Sequence, residues 1–326
     1  MTKQFPYLEV SGTYEDLGRA IGEKFAPYIQ KAIERRKKNN SNYAELITNT
    51  ESYIAETKKS FLHIFIEMQE IAKAARVPLE DYVLLNTPEL FEGAGDHCTT
   101  VVSRGENGYI LGHNEDWEGG FVDGIYILKA CIEGVAIIGL NYVSELPGTS
   151  ITLNSYGLTN AINHIPQKNG VGVSRNVLAH AILFSPTLSE AKQVLIETKK
   201  ASGFNHVLVQ DAVICDVEVT SFGVHSDEIQ NEVLIHTNHI LDEEIMSYGL
   251  LPSKSSLARY ARARSLAKVS MTEKEVISLL SDKENPQLPI CRHDATVGSV
   301  LVYPTKKLMK ICYGPPCQGE FVEYRI

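Results

Sequence analysis

The hydrophobic period of this chain changes once, at Cys98, and that change limits the folds open to it. Before Cys98 the apolar residues recur at helical spacing. Leu17, Ile21, Phe25 and Ile29 follow a helix start at Thr13 and Asp16. Phe61, Ile64, Phe65, Met68, Ile71 and Ala72 share one face of a second pattern, running from about Tyr43 to Ala75. Pro78 ends it, and Asp81 to Leu90 reads as a further short helix. After Cys98 the period is two. Thr99 to Ser103 reads as a strand, Gly105-Glu106-Asn107-Gly108 as a turn, and Tyr109 to Gly112 as the returning strand. Further strands are expected at 125–132, 135–142, 150–153, 158–163, 206–210, 216–222 and 232–237. Helices are expected at about 174–183, 189–198, 256–268 and 272–281, with a closing hairpin at 296–303 and 308–313. This order is not the βαβ alternation of a doubly wound sheet. It predicts an α+β chain of stacked, mainly antiparallel sheets with helices outside. A mainly helical half (1–97) and a strand-rich half (98–326) then form one structural domain.

Composition excludes several classes of partner. The net charge is −9 with both signs interspersed, so no basic stripe invites nucleic acid. No apolar run approaches the roughly 20 residues of a membrane helix. The start, Met1-Thr2-Lys3-Gln4-Phe5-Pro6, lacks a signal-peptide layout. A cytoplasmic protein is expected. The six cysteines (98, 131, 215, 291, 312 and 317) show no close pairs at metal spacing, and a disulfide framework is not expected. His97, Cys98, Cys291 and His293 lack the spacing of a zinc site. No metal and no cofactor is implied.

The chemistry centres on Asp96-His97-Cys98-Thr99-Thr100 and Gly112-His113-Asn114-Glu115-Asp116-Trp117. A thiol at the head of a strand becomes an N-terminal residue if the bond before it is cut. It then carries a nucleophile and a free α-amine together. That amine, with an ordinary pKa of about 7.7–8.0, is suited to take the thiol proton. Folding the hairpin about 105–108 places position 98 opposite 115 or 116, with cross-strand Cβ atoms roughly 5 Å apart. The plain alternative is that Cys98 is a small core residue at a strand start.

Cys98-Thr99-Thr100 followed by Gly112-x-Asn114-x-Asp116-Trp117 resembles the isopenicillin-N acyltransferase family of N-terminal-nucleophile hydrolases, relatives of the choloylglycine hydrolases. Asn154-Ser155-x-Gly157-Leu158 through Asn163, His236-Thr237-Asn238-His239 and Ser256-x-x-Arg259-Tyr260-x-Arg262 follow in the family's order. So do Ile290-Cys291-Arg292-His293, Thr296-Val297-x-Ser299-Val300 and Gly314-Pro315-Pro316-Cys317. The resemblance implies a four-layer αββα sandwich that cuts itself before Cys98 into two associated chains. It implies that Cys98 forms an acyl-thioester, that Asp116 holds its α-amine and that Asn238 stabilises the oxyanion. Arg259 would hold Asp116 or a substrate carboxylate. Thr99, Thr100, Asn114, Trp117, Asn163 and His239 fall on the substrate side. Two departures stand out: His97 occupies a position where glycine would ease strain in self-cleavage, and His113 replaces the arginine of the choloylglycine branch.

The expected activity is hydrolysis, or acyl transfer, of linear non-peptide amides, with a small-molecule amide or acyl substrate as the partner. Two other readings stay open. One is an uncut protein that binds an acylated small molecule without turnover. The other is an intact hydrolase pairing Cys98 with His97, His113 or His239. The sequence leaves open whether copies of the chain associate.

Overall fold

Thr13 and Asp16 close a reciprocal capping box that starts helix α1 (Tyr14–Asn39). The computed structural model describes residues 4–91, 98–117 and 124–326 of this chain. In it α1 buries Leu17, Ile21, Phe25, Ile29 and Ile33 along one stripe. Two glycines let it lie close to α3 (Leu62–Ala75). A Cβ on Gly18 would stand 2.5 Å from Glu67 O, and one on Gly22 2.5 Å from Ile71 O.

The single pattern expected over 43–75 is two helices, α2 (Tyr43–Ser60) and α3. Phe61 breaks it. Its φ of −143° and ψ of 68° are not helical, and its side chain packs on the α1–α3 core. The short helix α4 (Leu79–Leu85) and a 3₁₀ turn, Pro88–Leu90, replace the single helix expected there.

Fourteen strands among the described residues form two sheets. The first has eight: β1 (Tyr7–Gly12), β4 (Ile125–Ile132), β5 (Val135–Tyr142), β6 (Ile151–Asn154), β7 (Thr159–Asn163), β8 (Asn205–Gln210), β9 (Val213–Val219) and β10 (Val224–Ile229), in that spatial order. The second has six, in the order β11 (Leu234–His236), β2 (Cys98–Gly105), β3 (Gly108–Asp116), β12 (Thr296–Tyr303), β13 (Leu308–Tyr313) and β14 (Phe321–Arg325). All pairings are antiparallel except β1 with β4. Strands β1, β10 and β14 were not expected from the sequence. Each is a sheet-edge strand.

Side-chain alternation sorts the core into layers. Val102 and Leu111 of the six-stranded sheet meet Ile127, Leu140, Leu153 and Val207 of the eight-stranded sheet between the two. Val101, Ile110 and Leu301 face the other way, onto α7 (Lys254–Leu266) and α8 (Glu273–Leu280) through Ala263, Val276 and Leu280. Tyr126, Leu128 and Ala130 face α1 and α3. Leu208, Cys215 and Val217 carry α5 (Arg175–Ala181) and α6 (Leu188–Glu197). The result is the four-layer αββα sandwich. Residues before and after position 98 share one core, since α1, α3 and α4 pack on β4 and β5.

Candidate active site

The turn at 105–108 fixes the hairpin register. Gly105 pairs with Gly108, whose φ of 109° suits glycine, and counting back pairs Cys98 with Glu115. Cys98 therefore shares the inner face with Glu115. Alternation turns Asp116 to the outer face, toward α7.

Cys98 is buried and held at three points. Its N–H donates to Asn238 Oδ1 (3.1 Å), its carbonyl accepts from Arg259 Nη1 (2.6 Å), and its thiol lies 3.3 Å from Glu115 Oε1. Arg259, on α7, is fully buried. It also donates to Thr99 Oγ1 (2.8 Å), Asn238 Oδ1 (2.7 Å) and Ser255 Oγ (3.2 Å). Asn238 receives two donors on Oδ1, which fixes which end of its amide is which. Its Nδ2 then donates to His164 O (3.0 Å), and its backbone N–H to Ser256 Oγ (2.8 Å). Burial and the charges of Glu115 and Asp116 push the Cys98 thiol well above its usual range, with Arg259 pulling back.

Behind the thiol runs a polar network between the sheets. Thr100 donates to Asn163 Oδ1 (2.9 Å), so its oxygen accepts from His113 Nδ1 (2.9 Å). That leaves His113 Nε2 facing Glu115 Oε2 at 3.2 Å. Two acceptors cannot bond to each other, so one proton is held between His113 and Glu115. Tyr142 donates to Glu115 Oε1 (2.8 Å).

The expected residues fall in three places. Cys98, Asn238 and Arg259 come together, with Thr99 beside Arg259. Thr100 and Asn163 belong to the inner network. Trp117 lines a cavity and packs 5.1 Å from the Tyr142 ring. Asp116 lies apart from the Cys98 nitrogen. Its carboxylate accepts from Thr296 Oγ1 (2.6 Å) and stands 3.9 Å from Arg292 Nη1, so the backbone nitrogen of Cys98 is held by Asn238 and not by the expected Asp116. Burial raises Asp116 to about 6, against the pull of Arg259. Asn114 ties β3 to Leu280 O and Ile290 O. His239 bonds Ser256 Oγ (2.8 Å) and packs on Tyr260, away from the cavity lining. His97 lies outside the described residues.

The cavity in front of Cys98 measures about 200 Å³. Both halves of the chain line it: Arg36 and Phe91 from the first, Glu115, Trp117, Tyr142, Glu145, His164, Arg175 and Asn176 from the second. Sequence reasoning missed Glu145, Arg36, Arg175 and Asn176, which no local motif marks. Glu115 was one of two register choices. The ligand atoms of Cys98, His113 and Glu115 lie within 4.8 Å of one another, near enough for one metal ion. Their hydrogen bonds to each other, to Thr100 and to Tyr142 already account for them as a proton-sharing group.

A cysteine heading a strand, gripped through its backbone and opening on a cavity, sits here in the αββα fold of the N-terminal-nucleophile hydrolases, enzymes of C–N amide bonds. The chain belongs to the acyl-coenzyme A:6-aminopenicillanic acid acyl-transferase family, whose model matches residues 103–316, starting just past Cys98. It is 24% identical over 310 residues to the 40 kDa form of the acyl-coenzyme A:6-aminopenicillanic-acid-acyltransferase of Emericella nidulans, covering 88% of this chain and 84% of that one. It is also 24% identical over 219 residues to the beta-alanyl-dopamine/carcinine hydrolase of Drosophila melanogaster (58% and 57% covered). Two mutant forms of the conjugated bile acid hydrolase of Clostridium perfringens overlay with TM-scores of 0.47 and 0.49, at 12% identity, over 70% of this chain and 97% of theirs.

Proposed function

We propose that this chain is a self-activating cysteine amidohydrolase or acyltransferase of linear non-peptide amides, with Cys98 as nucleophile. One observation carries the reading: Cys98 is fixed at N–H, C=O and Sγ while its side chain borders the cavity. Family membership and the two enzymes it resembles point the same way.

In the uncut chain the nitrogen of Cys98 is an amide and takes no proton. Glu115 is then the base in reach of the thiol. The sulfur attacks the carbonyl carbon of His97, its proton passes to Glu115, and the C–N bond breaks as the nitrogen regains a proton. Water splits the resulting thioester, leaving residue 97 as a carboxylate and Cys98 with a free amine. In turnover that amine takes the thiol proton, sulfur adds to the substrate carbonyl and the substrate amine leaves protonated. Water or a second amine then takes the acyl group. Asn238, its amide end fixed by Cys98 and Arg259, is the oxyanion donor, a role worth about 10²–10³ in rate. Arg259 and Asp116 position it from behind. The two chains stay together through their shared core and cavity, in the cytoplasm. Hydrolysis is favoured over transfer because water is always present.

Cys98→Ala tests the reading: it stays one chain and turns over no amide, whereas a cut, active variant contradicts it. The buried Glu115–His113 pair beside the thiol favours a second reading, an intact thiol hydrolase that works without self-cleavage. Glu115→Gln separates the two. It slows cutting in the first, sparing chains already cut, and abolishes turnover by the intact chain in the second.

A further inference from the structure

The arginine beside Cys98 is not free for substrate. Arg259, which the resemblance offered as a carboxylate holder, is fully buried behind Cys98 and bonded to Cys98 O, Thr99, Asn238 and Ser255. A different arginine occupies the cavity wall. Arg175 opens α5, and its backbone N–H is pinned by Glu89 Oε1 at 2.7 Å. Ser202 donates to the same oxygen at 2.6 Å, which holds Glu89 in place. The guanidinium lies over the Phe204 ring, 5.0 Å from its centroid, and borders the same cavity as Cys98.

Its hydrogen bonding is incomplete. Arg175 Nε is buried and has no hydrogen-bond partner among the described residues. No carboxylate oxygen among them comes within the 4.0 Å of an ion pair with it. The next residue, Asn176, is 2% exposed, lines the cavity too, and its Nδ2 also has no hydrogen-bond partner among the described residues. Leaving a buried donor unpaired costs about 1–3 kcal/mol, and a cation more. Two adjacent unpaired donors bordering one small cavity, one of them charged, are matched by an anionic oxygen acceptor. A carboxylate has the planar geometry a guanidinium prefers. Arg175 and Arg36 share the cavity lining with Glu145 and Glu115, so the wall carries both signs, and it is the unpaired donors of Arg175 and Asn176 that mark where an acceptor fits.

We propose that Arg175, with Asn176, binds a carboxylate of the substrate, so that the amides cleaved at Cys98 are small acids. This deepens the amidohydrolase reading and rests on it. The carboxylate has two sources: the amine half, as in an N-acyl amino acid, or the acyl half, as in a dicarboxylic acid monoamide. Arg175 is a specificity residue and takes no part in bond breaking.

The test uses the whole protein and matched substrates: an N-acetyl amino acid against its methyl ester, and a succinyl monoamide against its methyl ester. The wild-type enzyme is expected to favour one acid over its ester by about 30-fold or more in kcat/KM, mostly through KM. Whichever pair shows the preference identifies the half that bears the acid. Arg175→Met should collapse that acid-to-ester ratio toward one, and Arg175→Lys should restore part of it. A wild-type enzyme that cleaves both esters as well as the acids overturns the proposal while the amidohydrolase reading stands. So does an Arg175→Met variant, folded by circular dichroism, that keeps the ratio. An enzyme that cleaves none of the four amides, and binds neither acid product by calorimetry, removes both readings. Binding of an acid product that weakens at least tenfold in Arg175→Met, without turnover, keeps the carboxylate site and rejects the hydrolase.

Discussion

Arg259 joins the nucleophile to the rest of the site, and its removal has a cost that follows from its contacts. Arg259→Met deletes the four hydrogen bonds that Arg259 donates to Ser255, Cys98, Thr99 and Asn238 among the described residues. Asn238 Oδ1 keeps the Cys98 N–H, but Cys98 O and Thr99 Oγ1 lose a charged donor inside the protein. Each such loss costs about 1–3 kcal/mol, and the buried Asp116 carboxylate loses its main stabilising cation as well. Taken together the variant should be about 3–5 kcal/mol less stable, the range for breaking one member of a buried charged group. Arg259→Lys separates charge from geometry. A single ammonium keeps the charge near Asp116 but cannot reach the three acceptors that Nη1 and Nη2 serve. It should lose less stability yet fall at least about 100-fold in turnover, because Asn238 is no longer held in one orientation. Urea unfolding followed by circular dichroism, with unchanged m-values, measures the first effect, and amide turnover the second. Arg259→Met within about 1 kcal/mol of the parent, or Arg259→Lys with full turnover, refutes the reasoning.

Three further outcomes follow from other buried contacts. Burial raises Asp116 from 3.8 to about 6, so the native state favours its protonated form and stability from this group falls as pH rises between those values. Asp116→Asn should therefore gain about 3 kcal/mol relative to the parent between pH 4 and 7, read from urea midpoints; a flat difference contradicts the assignment. Burial works against a charge on His180, but the Glu67 carboxylate (Oε2 2.9 Å from Nε2) and Pro147 O (2.9 Å from Nδ1) outweigh it and raise its pKa. Its contribution is full below about pH 6.5 and fades as pH rises through the folded-state value. His180→Ala should cost about 3–5 kcal/mol at pH 6 and clearly less at pH 9, by the same assay. Gly22→Ala should push α1 off α3 and cost about 1–3 kcal/mol, since its Cβ would meet Ile71 O at 2.5 Å and Ala74 Cβ at 2.6 Å. An unchanged melting temperature would show that the two helices separate without cost.

The hairpin that carries Cys98 was legible because a local turn sets its register, and so were the caps of α1 and α8, whose signals lie three residues apart. The choice between Glu115 and Asp116 was not, because one residue of register moves a side chain to the opposite face. Phe61 was unreadable as a break: its apolar side chain fits the helical pattern on either side, and only packing on α1 explains its turn. Strand β1 escaped because its partner, β4, lies more than a hundred residues away. Strand β10, Val-His-Ser-Asp-Glu-Ile, is a polar edge with little alternation to detect. Arg36, Glu145, Arg175 and Asn176 meet only through tertiary structure, so the cavity's charge pattern has no counterpart in any short stretch of sequence.

The most direct test of the central claim, that Cys98 acts as an N-terminal nucleophile, is the intact mass of the purified protein under denaturing, reducing conditions, before and after brief exposure to a slowly turned-over amide. The account predicts two masses, for residues 1–97 and 98–326, with the acyl increment appearing only on the second and lost in Cys98→Ala. A single uncut mass that gains an acyl group, or a cut protein acylated away from Cys98, contradicts it.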